Sequence, residues 1–268
     1  MCLIVLALHA HPHHPLVVAA NRDEALGRPT APAAYWPEED GLLAGRDLES
    51  GGTWMGVTRT GRFAALTNVR DPRAHDPGAP SRGGLAVRFL AGEDDPRDHV
   101  RAVAAERVRR NGFNLLAGAR GRLAWISNAG GGPAEVTPGI HAVSNAALDS
   151  PWPKALRAAA GLRRALAAGS AIDPEELFAI LSDRRIAADD ELPSTGVPLE
   201  VERLLSAPFI VAPGYGTRAS TLLLARRGGR AELLERCFDA TFRESGTSRF
   251  ELEFPGWNGA VETRFPSS

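Results

Sequence analysis

The feature that most constrains this chain lies in its first two dozen residues. Cys2 to Leu8 is an unbroken apolar run rich in β-formers, and Leu16 to Ala20 is another, so the chain begins inside its own core. The connection His9-Ala10-His11-Pro12-His13-His14-Pro15 carries two prolines and predicts a turn between the first two strands of a sheet. After Ala20 the apolar run gives way to Asn21-Arg22-Asp23-Glu24. At a strand end these four polar groups would point into a cleft; the plainer alternative is a turn in which Asn21 and Asp23 bond to nearby backbone.

The pattern continues as short strands at Leu42 to Gly45, Thr53 to Val57 and Arg62 to Thr67, punctuated by Gly51-Gly52 and Thr60-Gly61. Asp95-Pro96 opens a helix whose stripe is Val100, Val103, Ala104 and Val108, ending at Gly112. Phe113 to Ala117 and Leu123 to Ser127 form a hairpin around Arg120-Gly121, and Gly139 to Ser144 is a further strand. Ser150-Pro151 starts a second helix with Leu156, Ala159, Leu162 and Leu166 on one face, closed by Gly169, and Asp173-Pro174 repeats the start signal. Asp183 to Glu202 reads as a long polar loop. Strands return at Pro208 to Val211, Ser220 to Ala225, Ala231 to Phe238 and Arg249 to Phe254. Strands at both ends with helices between them predict one α+β domain over residues 1–268, built on mostly antiparallel sheets.

A formal net charge of -1 gives no field that would attract nucleic acid. The opening apolar run is too short to span a bilayer and lacks a basic lead, so a cytoplasmic protein without membrane insertion is expected. Lys154 is the only lysine, which reads as codon usage and receives no role. Cys237 reads as an inert buried strand residue. No Cys-x-x-Cys spacing and no phosphate-binding glycine loop occurs, and no metal site is expected. The histidines at 9, 11, 13 and 14 offer ligands to haem iron or a metal, but a solvated turn is the commoner setting for such a run.

Removal of Met1 would leave Cys2 with a free α-amine beside its own thiol, a nucleophile with a built-in base. Asn68 and Asn145 each end an expected strand. Each suits an Asx turn, or a neutral donor to a developing oxyanion.

Met1-Cys2-Leu3-Ile4, Ala19-Ala20-Asn21-Arg22-Asp23-Glu24, Gly51-Gly52-Thr53-Trp54-Met55-Gly56, Ala65-Leu66-Thr67-Asn68, Asn111-Gly112-Phe113-Asn114-Leu115, Ser144-Asn145-Ala146 and Pro213-Gly214-Tyr215-Gly216-Thr217-Arg218 occur in this order. Together they resemble the NRDE family, also called the transport and Golgi organisation protein two family. That family is more distantly similar to cysteine N-terminal-nucleophile (Ntn) amidases such as penicillin V acylase and bile salt hydrolase. The resemblance implies an Ntn-hydrolase-like αββα sandwich of two mostly antiparallel sheets flanked by helices. It implies catalytic roles for Cys2 as nucleophile, Asp23 orienting the amine, Asn68 and Asn145 at the oxyanion, and Arg218 after the Pro-Gly turn. It further implies a ligand pocket with Asn21, Arg22, Glu24, Trp54 and Tyr215. One position departs: Ala20 stands where those amidases carry arginine. The family associations also imply a non-enzymatic alternative, a carrier of haem or an acyl-CoA-like lipid, with haem a bound ligand and not a required cofactor. Arg22, Arg28, Arg46 and Arg218 suit the anionic groups of such ligands, with Trp36, Trp54, Trp152 and Tyr215 as apolar walls.

Overall fold

The computed structural model describes residues 3–167 and 171–257. The apolar opening forms strands β1 (Leu3–Leu8) and β2 (Leu16–Ala25), antiparallel, with Leu8 opposite Leu16 and Leu3 opposite Asn21. β2 does not stop at Ala20. β1 pairs along one edge and β12 (Tyr215–Arg226) along the other, setting Thr217 opposite Asp23 and Tyr215 opposite Ala25. Asn21 is therefore paired on both edges, and Arg22, Asp23 and Glu24 along β12. This ladder bonding overrides the polar composition that suggested a strand end or a turn.

This first sheet has the order β10 (Gly139–Val143), β1, β2, β12, β13 (Arg230–Phe238) and β14 (Glu244–Glu253), with β11 (Val211–Ala212) also on β12. The second runs β3 (Thr30–Tyr35), β4 (Leu42–Asp47), β5 (Met55–Thr58), β6 (Phe63–Asn68), β7 (Phe113–Ala119), β8 (Arg122–Ser127) and β9 (Ala134–Glu135). All these pairings are antiparallel.

Alternate residues of a strand face opposite ways. Ile4, Leu6, Val18 and Ala20 meet Met55, Val57, Phe63 and Leu116 between the sheets. Leu3, Val5, Val17 and Ala19 pack beneath α3 (Pro153–Ala167) and α4 (Pro174–Leu181). On the far side, α1 (Gly83–Ala91) and α2 (Pro96–Ala105) cover the second sheet through Leu85, Phe89 and Val100. The layers are helix, sheet, sheet, helix. Each such aliphatic side chain gains about 1.5–3 kcal/mol on full burial, and a slip of one residue would exchange the two faces. The apolar register of β1 and β2 thereby dictates that Asn21 and Asp23 point to the helices and Arg22 and Glu24 to the space between the sheets. No helix among the described residues is long and apolar enough to cross a membrane.

Several local expectations are corrected. α2 ends at Ala105, well before Gly112, and Val108 is exposed. The buried face of α3 is Ala155, Ala158, Leu162 and Ala165, whereas Leu156 is 56% exposed; Gly169 lies outside the described residues. The supposed loop from Asp183 to Glu202 runs into α5 (Leu199–Leu205), with Glu202 buried. Pro208 to Val211 is reduced to Val211–Ala212, while β12 and β14 begin earlier than expected, at Tyr215 and Glu244.

Candidate functional site

Arg22 is the most buried cation on the inner face of β2, at 2% exposure. Its guanidinium lies 4.3 Å from the Trp54 ring centroid, and Nη2 is 3.7 Å from Asp47 Oδ2 and 3.9 Å from Glu24 Oε2. Nη1 has no hydrogen-bond partner. Burial lowers the Arg22 pKa, and Glu24 and Asp47 oppose it. Asp47 is itself desolvated, yet it stays below the usual carboxylate range because Arg28 Nε donates to it at 2.7 Å and the Ser50 amide also bonds to it. The Trp54 indole lies so close to Gly45 that a Cβ there would fall 2.2 Å from Cζ2.

A cleft of about 380 Å³ opens beside this stack, lined by Arg22, Trp54, Arg218, Glu235, Cys237 and Phe238 among others. Arg218 reaches it because the register of β12 shifts between Thr217 and Ala219, a bulge that re-aims the extra residue. Its Nη1 donates to the carbonyls of Ala25 and Leu26 at 3.0 and 2.9 Å. Glu235, also fully buried, accepts from Ala33 N at 2.6 Å and Thr221 Oγ1 at 3.1 Å, and desolvation raises its pKa despite them. The Cys237 thiol donates to Glu235 Oε1 at 3.7 Å and is pushed up to about 12, by burial first and the carboxylate second. Cys237 is thus half-buried at the cleft wall instead of inside the core, and Glu235 was missed because nothing local marks a strand carboxylate as buried.

On the helix side of β2, Asn21 Nδ2 donates to both Leu181 O and Pro208 O at 2.8 Å, and Oδ1 accepts from Ser220 Oγ at 2.6 Å. Asn21 therefore joins β2 to the end of α4. Thr217 Oγ1 donates to Asp23 Oδ1 at 2.6 Å and accepts from Ile210 N at 2.9 Å. Glu24 is partly exposed and also takes the Ala25 amide. Tyr215 sits opposite Ala212 and Ala25 and does not line the cleft. Trp36 packs with Leu42, Leu85 and Phe89 on the outer side of the second sheet, beneath Arg46.

Asn145 lies two residues past the end of β10. Its Nδ2 donates to Asn68 O at 2.9 Å, and its Oδ1 accepts from Lys154 Nζ at 3.2 Å and Arg70 Nη2 at 3.5 Å. Arg70 also donates to Glu202 Oε2 at 2.5 Å and lies 4.8 Å from the Trp152 ring. Asn68 and Asn145 thus meet. Asp23 and Arg218 lie instead on the β2 and β12 side of β1, and no contact of either with Asn145 appears among the described residues. Cys2, expected as nucleophile, lies outside the described residues.

The histidine turn packs as part of the closed end of the sandwich. His9 Nε2 bonds to Gly121 O at 2.7 Å, tying the two sheets together, while His11 and His14 are buried with ring centroids 5.1 Å apart. Burial, then His11 and Arg226, lower the His14 pKa to about 4. The expected solvated turn is corrected for these residues: Leu16 and Arg227 draw them inward through the sheet ends, Arg227 N donating to His13 O at 2.9 Å. Among the described residues no group of three or more His, Cys, Asp or Glu could hold a metal ion.

Solved structures share this architecture at low sequence identity. The C2A mutant of a conjugated bile acid hydrolase from Clostridium perfringens superposes with a TM-score of 0.54 at 10% identity, covering 97% of this chain and 94% of that one. The fold is that of the Ntn hydrolases. The Homo sapiens Transport and Golgi organization protein 2 homolog is 33% identical over 276 residues, which is 94% of this chain and all of that protein. The Mus musculus homolog is 30% identical over the same extent. The family model described as Transport and Golgi organisation 2 matches residues 1–240, which take in β1, the Asn21 to Glu24 segment, Asn68, Asn145 and Arg218. The chain belongs to the Transport and Golgi organisation 2 family.

Proposed function

We propose that the protein is an N-terminal cysteine amide hydrolase of small substrates, with Cys2 as nucleophile once Met1 is removed. The observation that carries this reading is the Asn145 carboxamide. Asn68, Lys154 and Arg70 hold it so that one of its two amide hydrogens has no partner among the described residues, which is what an oxyanion donor requires. Leu3 pairs with Asn21, and Cys2 immediately precedes Leu3 in the sequence. The C2A variant of the bile acid hydrolase means that protein, too, has cysteine as its second residue.

In the proposed cycle the α-amine takes the Cys2 thiol proton, and the thiolate adds to the amide carbonyl carbon. Asp23 orients the resulting ammonium, and an Asn145 N–H meets the charge on oxygen. The C–N bond breaks as the ammonium returns a proton to the leaving nitrogen, giving a thioester and a free amine. Water then gives a proton to the α-amine, adds to the thioester and releases a carboxylic acid and the thiol. The Arg22, Arg218 and Trp54 cleft suits a substrate with an anionic group on an apolar body. The cytoplasm, which keeps such a thiol reduced, is the proposed setting.

Intact mass of the native protein is expected to show Met1 removed, and fluorogenic N-acyl aminocoumarin amides are expected to turn over with wild type but not with Cys2→Ser. Retained Met1, or equal turnover by Cys2→Ser, sinks the reading.

The buried Arg22, with Nη1 unbonded beside Trp54, favours a second reading: a carrier of an amphipathic anion such as haem or an acyl-CoA-like ligand. The cleft offers arginines to carboxylates or phosphates, but no histidine lines it and its Cys237 thiol stays protonated at neutral pH, so its residues do not fit haem iron. Titration with a fatty acyl-CoA checks this reading: a saturable change in tryptophan fluorescence is expected in wild type and lost in Arg22→Ala, and equal binding by the two removes the cleft from consideration.

A further inference from the structure

β10 is an edge strand of the first sheet, and the chain enters it from β9 of the second sheet through Thr137 and leaves it through the loop that carries Asn145. One β10 side chain, His141, is tied to both connections. Its Nδ1 lies 2.7 Å from Asp149 Oδ2, and its Nε2 lies 2.8 Å from the Thr137 carbonyl oxygen. A carbonyl oxygen only accepts, and so does an ionised carboxylate. Both ring nitrogens must therefore donate, which makes His141 an imidazolium. A neutral ring would set a nitrogen lone pair against an oxygen lone pair at one of the two contacts.

Asp149 closes the loop that follows. Its amide donates to Ala142 O at 2.7 Å, its Oδ1 accepts from Ala142 N at 2.9 Å, and its φ of +58° is a left-handed conformation that a non-glycine residue keeps when its surroundings hold it there. On the far side of the loop, Arg70 N donates to Asn145 O and Asn114 Nδ2 to Ala146 O, each at 2.8 Å. Residues 143–148 are thus held between the second sheet and the pair of His141 and Asp149. Leu6 stands opposite His141 on β1, and Asp149 is the charged group that faces the ring among the described residues. The Asp149 hydrogen bond, joined by the Thr137 carbonyl, keeps the ring protonated above the ordinary 6.5 against partial burial.

We propose that His141 is a positioning residue of the candidate site: its imidazolium, by bridging Thr137 and Asp149, fixes the loop 143–148 and with it the Asn145 carboxamide, and loss of one ring proton loosens both. That Asn145 serves an oxyanion rests on the hydrolase reading. The coupling of its position to the His141 proton does not.

The test follows both side chains by NMR in full-length protein labelled with 15N-asparagine and 13C-histidine. The Asn145 carboxamide signals are assigned by their absence in Asn145→Ser, and the His141 ring signal by its absence in His141→Gln. In wild type the Asn145 signals are expected to shift with pH at the midpoint of the His141 ring. Asp149→Asn keeps the Oδ1 acceptor and suits the left-handed φ but withdraws the charge, so both midpoints are expected to fall together by about one pH unit. In His141→Gln, which keeps a donor that does not titrate, the Asn145 shift is expected to vanish from that range; Asp149→Asn serves if His141→Gln does not fold, and the comparison of midpoints in wild type needs neither. Asn145 signals that hold still while His141 titrates, or that keep their wild-type midpoint in a folded variant, overturn the proposal. Should Met1 be retained or Cys2→Ser turn over equally, the hydrolase reading falls alone, and matched midpoints still assign control of the Asn145 loop to His141.

Discussion

The two ends of β2 hold polar clusters, and they have opposite fates. At the Leu16 end His9 bridges to Gly121, and His14 is kept neutral by burial, His11 and Arg226. At the Ala25 end the groups divide by face. Asn21 is consumed in short bonds to α4 and β12 and Asp23 Oδ1 accepts from Thr217, while Arg22, Glu24, Asp47 and Arg28 form a charged group beside an open cleft. Neutral groups can pack into a closed junction, whereas a cleft persists where charges need residual hydration.

Asn21→Leu offers the harshest break in that comparison. It strips the donor from two buried carbonyls and the acceptor from Ser220, at about 1–3 kcal/mol for each group left unsatisfied, so a loss of about 3 kcal/mol or more is expected in urea denaturation. A loss under about 1 kcal/mol would erase the distinction between sealing and open groups.

The histidine end should reveal itself by its pH dependence. The unfolded chain binds the His14 proton at the ordinary 6.5 and the folded chain at about 4, so between these values the unfolded state holds more protons. Stability is therefore complete above 6.5 and falls as pH drops towards 4, by about 3 kcal/mol from this residue. Urea midpoints across that range should flatten in His14→Leu. An unchanged acid limb would assign the loss to other groups.

Arg22→Met should be the mildest. Removing a desolvated cation with an unbonded nitrogen and keeping its stem costs little, so a change within about 1 kcal/mol is expected in the same urea assay. A loss as large as that of Asn21→Leu would make Arg22 a structural strut and undo the contrast between the faces.

The layered fold was legible because β1, β2 and the hairpin of β7 and β8 carry dense apolar runs bounded by turn residues. β3 escaped notice because it is Ala-rich and contains Pro32, tolerable only because β3 is an edge strand whose pairing skips between Ala31 and Ala34. α1 opens on Gly83-Gly84 with no side-chain cap, so no start signal exists to read. In α3 the leucines drew the stripe towards Leu156, whereas the true face is lined by alanines that let the helix approach β1 closely. The family resemblance proposed a set of site residues but no geometry. That Arg22 and Asp23 point to different layers follows from strand parity only once β2 is known to continue past Ala20, and the burial of Lys154 and Glu235 depends on elements far away in sequence.

Gly45 is the residue on which the cleft wall is gauged. It carries no charge and touches no ligand, yet its missing methyl is the room in which the Trp54 indole lies. Alanine there would evict the ring, withdraw the aromatic surface beneath Arg22 and reshape the cleft while leaving every ionisable group in the chain intact. A single backbone position on β4 thus lets the shape of the site be varied independently of its electrostatics.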